Sequence, residues 1–456
     1  MKFGLFYEQQ LPRPWSEGRE HELLQDSLKE VELADRLGYD YLWSVEHHFL
    51  EEYAHSSAPE VFLAAASQRT KNIRIGHGVM LMVPQINHPA RCAERLATLD
   101  LVSNGRVEWG TGESGSASEL QGFGVPIDEK RAAWHEGVEQ CAKMLTMTPY
   151  PGYEGKHFSM PARNVVPKPL QRPHPPLWMG CSNPAAVHRA AQLGMGALFF
   201  QFGSPEVGRP IVEDYYETFK RECVPIGYSV NPAVCFMSPL SIHADREVAI
   251  ERGLEGYGFF GLSVAHHYVS GTHVPGRTDI TGSYFEERAA QIRSGKKASE
   301  LSMSEEIKSR ISATGALDVP GGIGSVEEVR EHVRASEAVG IDQLGFVQAF
   351  GGVKHEHICD GLRLFASEIM EEFHERDKKR QAAKNEELAP YIAAAMKRRE
   401  RLAQMHDSEI PAICALPVQA KQAHESGKPL TQWQREILKR TQLKDDLIST
   451  RNPEKK

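Results

Sequence analysis

Short apolar runs alternate with longer segments of helical periodicity along the first 374 residues of the chain. The runs have the length and β-rich composition of buried strands, while the longer segments repeat apolar side chains every three or four positions. Strands are predicted at residues 3–7, 41–45, 73–82, 106–110, 176–179, 197–201, 233–239 and 343–347. Helices are predicted at residues 20–37, 58–69, 89–101, 130–145, 184–193, 205–221, 326–339 and 355–373.

Eight strands alternating with helices are typical of a (β/α)8 TIM barrel, which is an α/β fold. An open doubly wound sheet is the main alternative, but it would usually have fewer strands and a glycine-rich first turn. No G-x-G-x-x-G pattern follows the first strand. The order of elements therefore favours the barrel.

Three parts of the chain depart from this repeat. Residues 149–175 are proline-rich and are expected to form a β-like excursion. Residues 263–302 are an insertion on the face of the barrel where chemistry takes place, and they are predicted to act as a lid. Residues 375–456 predict a charged helical C-terminal extension, with Leu388 and Ile392 on a narrow apolar stripe suited to packing on a neighbour. We expect two domains, a barrel at 1–374 and the extension at 375–456.

The charge of the chain limits its partners. A net charge of -8, from 53 basic and 61 acidic residues, argues against nucleic-acid binding. Residues 375–456 carry 18 basic and 12 acidic side chains, whereas the rest of the chain is acidic. This asymmetry suggests that the extension docks on the barrel, within or between subunits, and a solvated extension explains it equally well. We expect a homo-oligomer, at least a dimer.

The cysteines and the apolar segments indicate a cytoplasmic protein. Seven cysteines are scattered without a CxxC pair, as expected in a reducing compartment. A strand-like run follows Met1-Lys2 directly, so no signal sequence is expected. No apolar run approaches the ~20 residues that span a bilayer, and no membrane association is expected.

The most informative polar motif is Glu46-His47-His48, at the end of the second predicted strand. In parallel α/β proteins the carboxyl ends of strands carry the chemistry, although a polar surface turn with a histidine pair is the alternative. Adjacent histidines on an extended segment point to opposite sides, so this pair would not easily bind one metal ion. No HExxH motif is present, and an organic cofactor is favoured over a catalytic metal.

Polar and glycine residues also follow the other predicted strands. Ser182 or Asn183 can cap the helix that begins at Pro184, and free amides at that helix start would suit a phosphate, with an ordinary N-cap as the alternative. Glycines after the fourth strand would let the backbone approach a flat ligand, or would mark a turn. The full set at strand ends comprises Glu8, Glu46, His47, His48, His77, Gly78, Gly112, Glu113, Ser114, Ser182, Asn183, Gln201 and Gln348.

Several motifs, in order, resemble the bacterial-luciferase-like flavin monooxygenases over about residues 1–374. They lie at residues 43–49, 73–76, 88–89, 99–106, 167–176 and 190–194. The resemblance implies a TIM barrel that takes reduced flavin from a separate flavin reductase. Oxygen (O2) then adds to give a flavin hydroperoxide, which oxygenates a small organic substrate. The implied cofactor is FMN, with FAD possible.

Carried over residue by residue, His47 resembles the family's catalytic histidine, with Glu46 and His48 beside it. The resemblance places Gly78 and Val79 against the flavin ring, often through a non-proline cis peptide. It places Ser182 and Asn183 at the flavin phosphate, and Gly112, Glu113 and Ser114 near the cofactor.

Two positions differ from the family pattern. Ala186 stands where the family has a phosphate-site threonine, and Glu113 stands where luciferase has an arginine. A carboxylate near a phosphate is unfavourable, so either another cation compensates or Glu113 faces elsewhere. The string at 110–113 is also similar to the deazaflavin-dependent branch, where a glutamate serves in proton transfer.

Three hypotheses follow: a two-component flavin monooxygenase, a deazaflavin-dependent oxidoreductase and a non-catalytic flavin-binding barrel. A metal-dependent hydrolase is a more distant fourth. In the first hypothesis His47 takes and returns a proton, Glu46 fixes its tautomer, and residues 263–302 close over substrate.

Overall fold

The computed structural model describes residues 1–200, 204–293 and 320–451. The strands are β1 Lys2–Tyr7, β2 Tyr41–Ser44, β3 Arg74–His77, β4 Met80–Leu81, β5 Val107–Gly112, β6 Tyr150–Glu154, β7 Ser159–Arg163, β8 Leu177–Cys181, β9 Gly196–Phe199, β10 Val234–Pro239, β11 Ser241–His243, β12 Ile323–Ser325 and β13 Gln343–Gln348.

Most of the helices match the predicted periodic segments, but those at Ala117–Gly122, Arg246–Ala265 and Ile280–Arg293 were not predicted. They are α1 Arg19–Leu37, α2 Pro59–Arg69, α3 Pro89–Val102, α4 Ala117–Gly122, α5 Lys130–Thr146, α6 Pro184–Gln192, α7 Pro205–Glu222, α8 Arg246–Ala265, α9 Ile280–Arg293, α10 Val326–Ala338, α11 His355–Phe365, α12 Glu371–Arg398, α13 Leu416–Glu425 and α14 Gln432–Arg451.

Parallel strands close into a TIM barrel, as the alternation of elements predicted. The order is β3-β2-β1-β13-β10-β9-β8-β5-β4, and pairing of β3 with β5 closes the ring. The third of the eight barrel positions is split into β3 and β4. The predicted strand at 73–82 is interrupted there, at Gly78-Val79, whose peptide bond is cis. Gly78 packs so tightly that an added Cβ would lie 2.9 Å from the Phe6 ring.

Aromatic side chains fill the inside of the barrel below its mouth, the region at the carboxyl ends of the strands. Trp43 and Trp178 are buried, with ring centroids 5.3 Å apart. The Trp178 indole donates to Glu108 Oε2 at 2.6 Å, and Trp43 donates to Gln343 Oε1 at 3.1 Å. A barrel filled in this way is a packed core, so a ligand must enter at the carboxyl ends of the strands.

The first two segments that depart from the repeat contain regular secondary structure where the structure describes them. The predicted β-like excursion contains an antiparallel hairpin of β6 and β7. The predicted lid begins at the end of α8 and continues through a π-helical turn at His266–Ser270 into α9. Its remaining residues, 294–302, lie outside the described residues, as does Gln201.

The C-terminal part differs from the expected division at residue 374. Helix α12 runs through residues 375–398 without a break, and the chain forms two compact units, Met1–Ala403 and Gln404–Lys456. Leu388 and Ala395 on its apolar stripe are buried in the core that includes α7 residues. The stripe therefore packs on the chain's own barrel. Among the helices that the structure describes, none has both the length and the apolar character needed to cross a bilayer.

Candidate active site

His47 lies in the mouth of the barrel between two carboxylates. It follows β2, and its backbone N–H donates to Ser56 O at 2.9 Å, which fixes the chain as it leaves the strand. Its Nδ1 is 2.9 Å from Glu119 Oε1, and its Nε2 is 3.5 Å from Glu8 Oε2. The Tyr268 hydroxyl, from the lid, lies 3.4 Å from Nδ1. Both ring nitrogens are thus engaged by acidic or polar groups.

The electrostatics of this site favour a protonated imidazole. Burial works to lower the pKa of His47, but the Glu119 carboxylate and then Glu8 outweigh it, so the pKa stands above its ordinary value. Burial likewise works to raise the pKa of Glu119, and His47 and its hydrogen-bond donors hold it below the usual range. Burial raises the pKa of Glu8. The imidazole therefore has one firmly ionised carboxylate and one carboxyl that binds a proton more readily.

Both carboxylates are held in place by neighbours. Glu119 accepts the Ser114 hydroxyl at 2.6 Å and the His48 backbone N–H at 2.9 Å. Glu8 Oε1 accepts the Tyr53 hydroxyl at 3.0 Å, while its Oε2 faces His47. Fixed partners of this kind define which ring nitrogen of a histidine carries its proton.

Glu46 and His48 form a separate cluster. His48 Nε2 is 3.0 Å from Glu46 Oε1. Glu46 also accepts the Leu81 backbone N–H at 2.8 Å and the Asn87 amide at 2.7 Å. The hypothesis that Glu46 fixes the tautomer of His47 was wrong, because alternation along the extended chain turns Glu46 away and Glu119 takes that position.

The Val79 side chain lies at the mouth of the barrel, where it packs directly on the backbone of two glycines in neighbouring strands. An added Cβ at Gly112 would lie 2.4 Å from Val79 Cγ2, and one at Gly180 would lie 3.0 Å from Val79 Cγ1. Val79 itself is partly exposed, and its carbonyl accepts the Glu46 backbone N–H at 3.0 Å. The peptide between Gly78 and Val79 is cis. These glycines are therefore needed to seat an apolar side chain in the floor of the mouth.

Glu113 is neutralised by two neighbouring cations. Arg131 lies 3.2 Å and Lys130 3.8 Å from Glu113 Oε1. The Lys130 ammonium also donates to the Ser114 carbonyl. The unfavourable carboxylate noted in the sequence is thus compensated by the start of α5.

Ser182 and Asn183 lie where β8 turns into α6. The Asn183 side chain caps the helix by accepting the Ala186 N–H at 3.0 Å, and Pro184 occupies the first turn. Both Ser182 and Asn183 are exposed. The predicted cap is confirmed, while a phosphate at this position stays a prediction.

Comparison with known proteins identifies the family of the chain. The family model described as luciferase-like monooxygenase matches residues 1–343. The chain belongs to the luciferase-like monooxygenase family. The oxygenase component of the flavin-dependent trigonelline monooxygenase of Acinetobacter baylyi is 25% identical, over 82% of this chain and 96% of that protein. The chain spans about half (48%) of each of two further curated relatives, y4wF and y4vJ of Sinorhizobium fredii.

Solved structures of the same fold include different chemistries. Monooxygenase RslO1 from Streptomyces bottropensis superposes with a TM-score of 0.60 at 25% identity, over 82% of this chain and all of that one. An F420-dependent secondary alcohol dehydrogenase superposes with a TM-score of 0.59 at 17% identity, over 81% of this chain and 98% of that one. At that lower identity the likeness concerns the fold alone.

The mouth of this luciferase-like barrel fits a flat heterocycle such as a flavin. Buried polar atoms at the ends of β1 and β13 make no hydrogen bond within the described part of the chain: Glu8 Oε2, Gln10 Nε2 and Gln348 Nε2. Buried polar groups are normally paired, so these atoms suit a ligand whose edge carries donors and acceptors. The apolar face of Val79 would pack on its ring.

Glu119 and Tyr53 were not identified from the sequence. Ser116 and Glu119 have the S-x-x-E spacing of a capping box, which reads as an ordinary helix start. In the structure the Ser116 side chain makes no capping hydrogen bond, and Glu119 turns to His47 instead.

Proposed function

We propose that this protein is the oxygenase component of a two-component monooxygenase, taking reduced FMN from a separate reductase and oxygenating a small organic substrate with O2. The observation that carries the proposal is the partly buried His47 between the buried carboxylates of Glu119 and Glu8, at the mouth of a luciferase-like barrel. FMN is favoured over FAD because the start of α6 is suited to a terminal phosphate. The proposal places Gly78, Val79, Gly112, Glu113, Ser114, Ser182 and Asn183 around the cofactor.

The reduced flavin supplies the two electrons with which O2 is split between the product and water. The chain's own task is to control protons and water. Glu119 orients His47 through Nδ1, and the opposite nitrogen faces Glu8 Oε2 at 3.5 Å. In the proposal His47 gives up a proton from Nε2 when oxygen is activated and recovers it in the same turnover, with Glu8 as its neighbouring proton carrier.

Aromatic side chains support this role by shielding the histidine from solvent. The Tyr53 ring centroid lies 5.4 Å and the Tyr268 ring centroid 6.2 Å from that of His47. Tyr53 comes from the rim of the barrel and Tyr268 from the lid. A site shielded by both slows the unproductive release of hydrogen peroxide, which is the main competing reaction of such enzymes.

A deazaflavin-dependent hydride transfer is the second candidate, and Glu113 at the end of β5 favours it. The ion pairs of Glu113 with Lys130 and Arg131 argue against this, because they already engage the carboxylate. A barrel that binds flavin without turnover is the third candidate.

The deciding experiment measures oxygen consumption and peroxide release by the purified full-length chain with chemically reduced FMN. Trigonelline heads the substrate panel, because a relative is named for it. The proposal predicts that a true substrate lowers the peroxide released per O2 consumed and yields a product containing one atom of labelled oxygen. Substrate turnover without oxygen, on a reduced deazaflavin, would establish the second candidate. Tight FMN binding with no effect on oxygen consumption by any substrate would favour the third.

A further inference from the structure

The lid carries three histidines beside the active site, which the proposed flavin chemistry does not use. His266 and His267 open the π-helical turn after α8, and His273 follows shortly after it. One ligating nitrogen from each lies within 4.8 Å of those of the other two. Their ring centroids are 5.0 to 5.6 Å apart in all three pairs. We call these three residues the lid histidine cluster.

Each imidazole of the lid histidine cluster has a buried ring nitrogen with no hydrogen bond to any residue that the structure describes. These atoms are His266 Nε2, both ring nitrogens of His267, and His273 Nδ1. Buried polar atoms in native proteins are normally paired or bound to an ion. Because the cluster combines ring nitrogens that are unpaired among the described residues with ligating nitrogens that lie within 4.8 Å of one another, it is suited to binding one central ion. The residues themselves are only partly buried, which leaves an entry path.

A carboxylate fixes the orientation of one ring. His273 Nε2 is 3.1 Å from Glu51 Oε1, and the same oxygen accepts the Gly276 N–H at 2.7 Å. Arg13 binds the other oxygen of Glu51 at 2.8 Å. If Nε2 of His273 donates to Glu51, its Nδ1 must present a lone pair to the cluster. Metal-binding histidines are oriented by carboxylates in this way.

The neighbouring residue ties the same loop to the barrel rim. Glu52 accepts the backbone N–H groups of Ile280 at 2.7 Å and Thr281 at 3.0 Å. The rim segment Glu51–Tyr53 therefore binds the lid at two places, at His273 through Glu51 and at residues 280–281 through Glu52. A ligand bound by the three histidines would also connect the end of α8, which carries His266 and His267, to His273 in this loop.

We propose that His266, His267 and His273 bind one Zn²⁺ ion, with a fourth position left for water. Three imidazoles with one open position are an established zinc arrangement. Zinc–nitrogen bonds of about 2.0–2.1 Å require the three nitrogens to approach within roughly 3.3 Å of one another, which calls for small side-chain rotations. Tyr268 adjoins His267 and reaches His47, so the ion would also fix this tyrosine over the active site.

The test is calorimetric titration of ZnCl2 into the tag-free, EDTA-treated, full-length protein without flavin, so its result is independent of the proposed flavin chemistry. We expect one zinc per chain for the wild type. His267→Ala and His266→Asn should abolish the binding, and Glu51→Gln should weaken it about 10- to 100-fold. His21→Ala, which removes an exposed histidine of α1, should bind like the wild type.

Hydrogen exchange gives a second measurement, which locates the binding within the chain. Zinc should slow exchange of the amides at 266–281 in the wild type and in His21→Ala, but not in His267→Ala. Thermal melting in EDTA identifies a variant that is misfolded, in which case Glu51→Gln decides. Absence of zinc binding by the wild type, or equal binding by His267→Ala and His21→Ala in folded proteins, would overturn the proposal.

Discussion

At the scale of single residues, the two adjacent histidines at the end of β2 meet different carboxylates. His47 and His48 are adjacent, but His47 pairs with Glu119 and Glu8 while His48 pairs with Glu46. The first cluster opens on the barrel mouth. The cluster of Glu46 and His48 holds β4 and the residues that follow it, because Glu46 accepts hydrogen bonds from Leu81 and Asn87. A catalytic role for His48 and Glu46 stays a prediction, and their contacts suit a positioning role.

Replacement of His47 should impair the proposed proton transfer much more than FMN binding. We expect His47→Ala to lower coupled product formation by about 10²- to 10⁴-fold, because a general acid–base contributes that much. FMN binding should change far less. The measurement is product formed per O2 consumed, with His188→Ala, a histidine on α6, as the control. Unchanged coupling in His47→Ala would remove this residue from the mechanism.

The pair of His47 and Glu119 should make stability depend on pH. The folded pKa of His47 lies above 6.5, so its contribution is complete below that value and is lost as pH rises through the folded pKa. The folded pKa of Glu119 lies below 4.5, so its contribution is present above that value and is lost as pH falls through the folded pKa.

The wild type should therefore exceed Glu119→Gln in melting temperature most clearly near about pH 6, between the two unfolded values. The difference should shrink towards about pH 9, as His47 loses its proton in the folded state. Glu113→Gln serves as the matched control, since it removes a partly buried carboxylate outside the His47 cluster. A difference that is constant from pH 6 to pH 9 would show that the two side chains are not electrostatically coupled.

At the scale of elements, the barrel mouth depends on glycines that bring strands together. β3 and β4 occupy one barrel position because the chain turns at Gly78-Val79, and Val79 then packs onto Gly112 of β5 and Gly180 of β8. This arrangement places an apolar side chain where the proposal has the flavin ring. The packing here leaves no room for a side chain at position 112, since the Cβ of any larger residue would overlap Val79.

Gly112→Ala should therefore destabilise the protein by about 1–3 kcal/mol, the usual cost of overpacking, and should weaken FMN binding. Gly361→Ala, inside α11, is the matched control. Its new Cβ would lie 3.7 Å from Ile242, which is an ordinary van der Waals contact. We expect that control to be neutral or more stable by about 0.5–1 kcal/mol. Urea unfolding and FMN titration check both variants, and a Gly112→Ala protein as stable as wild type would contradict the packing argument.

At the scale of the whole molecule, the C-terminal region divides into a part that belongs to the barrel unit and a part that does not. Helix α12 is joined to the barrel by Lys384, which pairs with Asp342 at 2.8 Å, and by the buried Leu388 and Ala395. The second unit, Gln404–Lys456, leaves large apolar side chains exposed, with Leu416 at 51% and Trp433 at 46%. Contiguous apolar patches mark surfaces that bind other proteins, and we expect these two side chains to belong to one.

The predicted homo-oligomer should therefore depend on the second unit. We expect the full-length protein to have at least the mass of a dimer in solution, and the double variant Leu416→Asp, Trp433→Asp to shift towards the monomer. Ile127→Asp, at an apolar residue of the first unit that is 65% exposed, should keep the wild-type mass. Light scattering after gel filtration measures all three, and an unaltered mass in the double variant would exclude these side chains as the interface.

The sequence by itself determined the barrel, because strand and helix periodicities are local and recur as far as residue 373 outside the segments at 149–175 and 263–302. It also located His47, since the end of a buried strand is a position that local pattern reveals. It did not reveal Glu119 as the partner of His47. The two lie 72 positions apart, and the spacing from Ser116 to Glu119 is that of an ordinary helix start.

Only the tertiary structure decided which surfaces are used and which groups meet. The stripe on α12 reads the same whether it packs on its own barrel or on another subunit, and its burial against the barrel core settles that choice. The lid histidines are likewise polar residues in a loop until folding brings their nitrogens within 4.8 Å of one another. Periodicity reports the environment of each residue, whereas contacts between distant residues depend on how the whole chain closes.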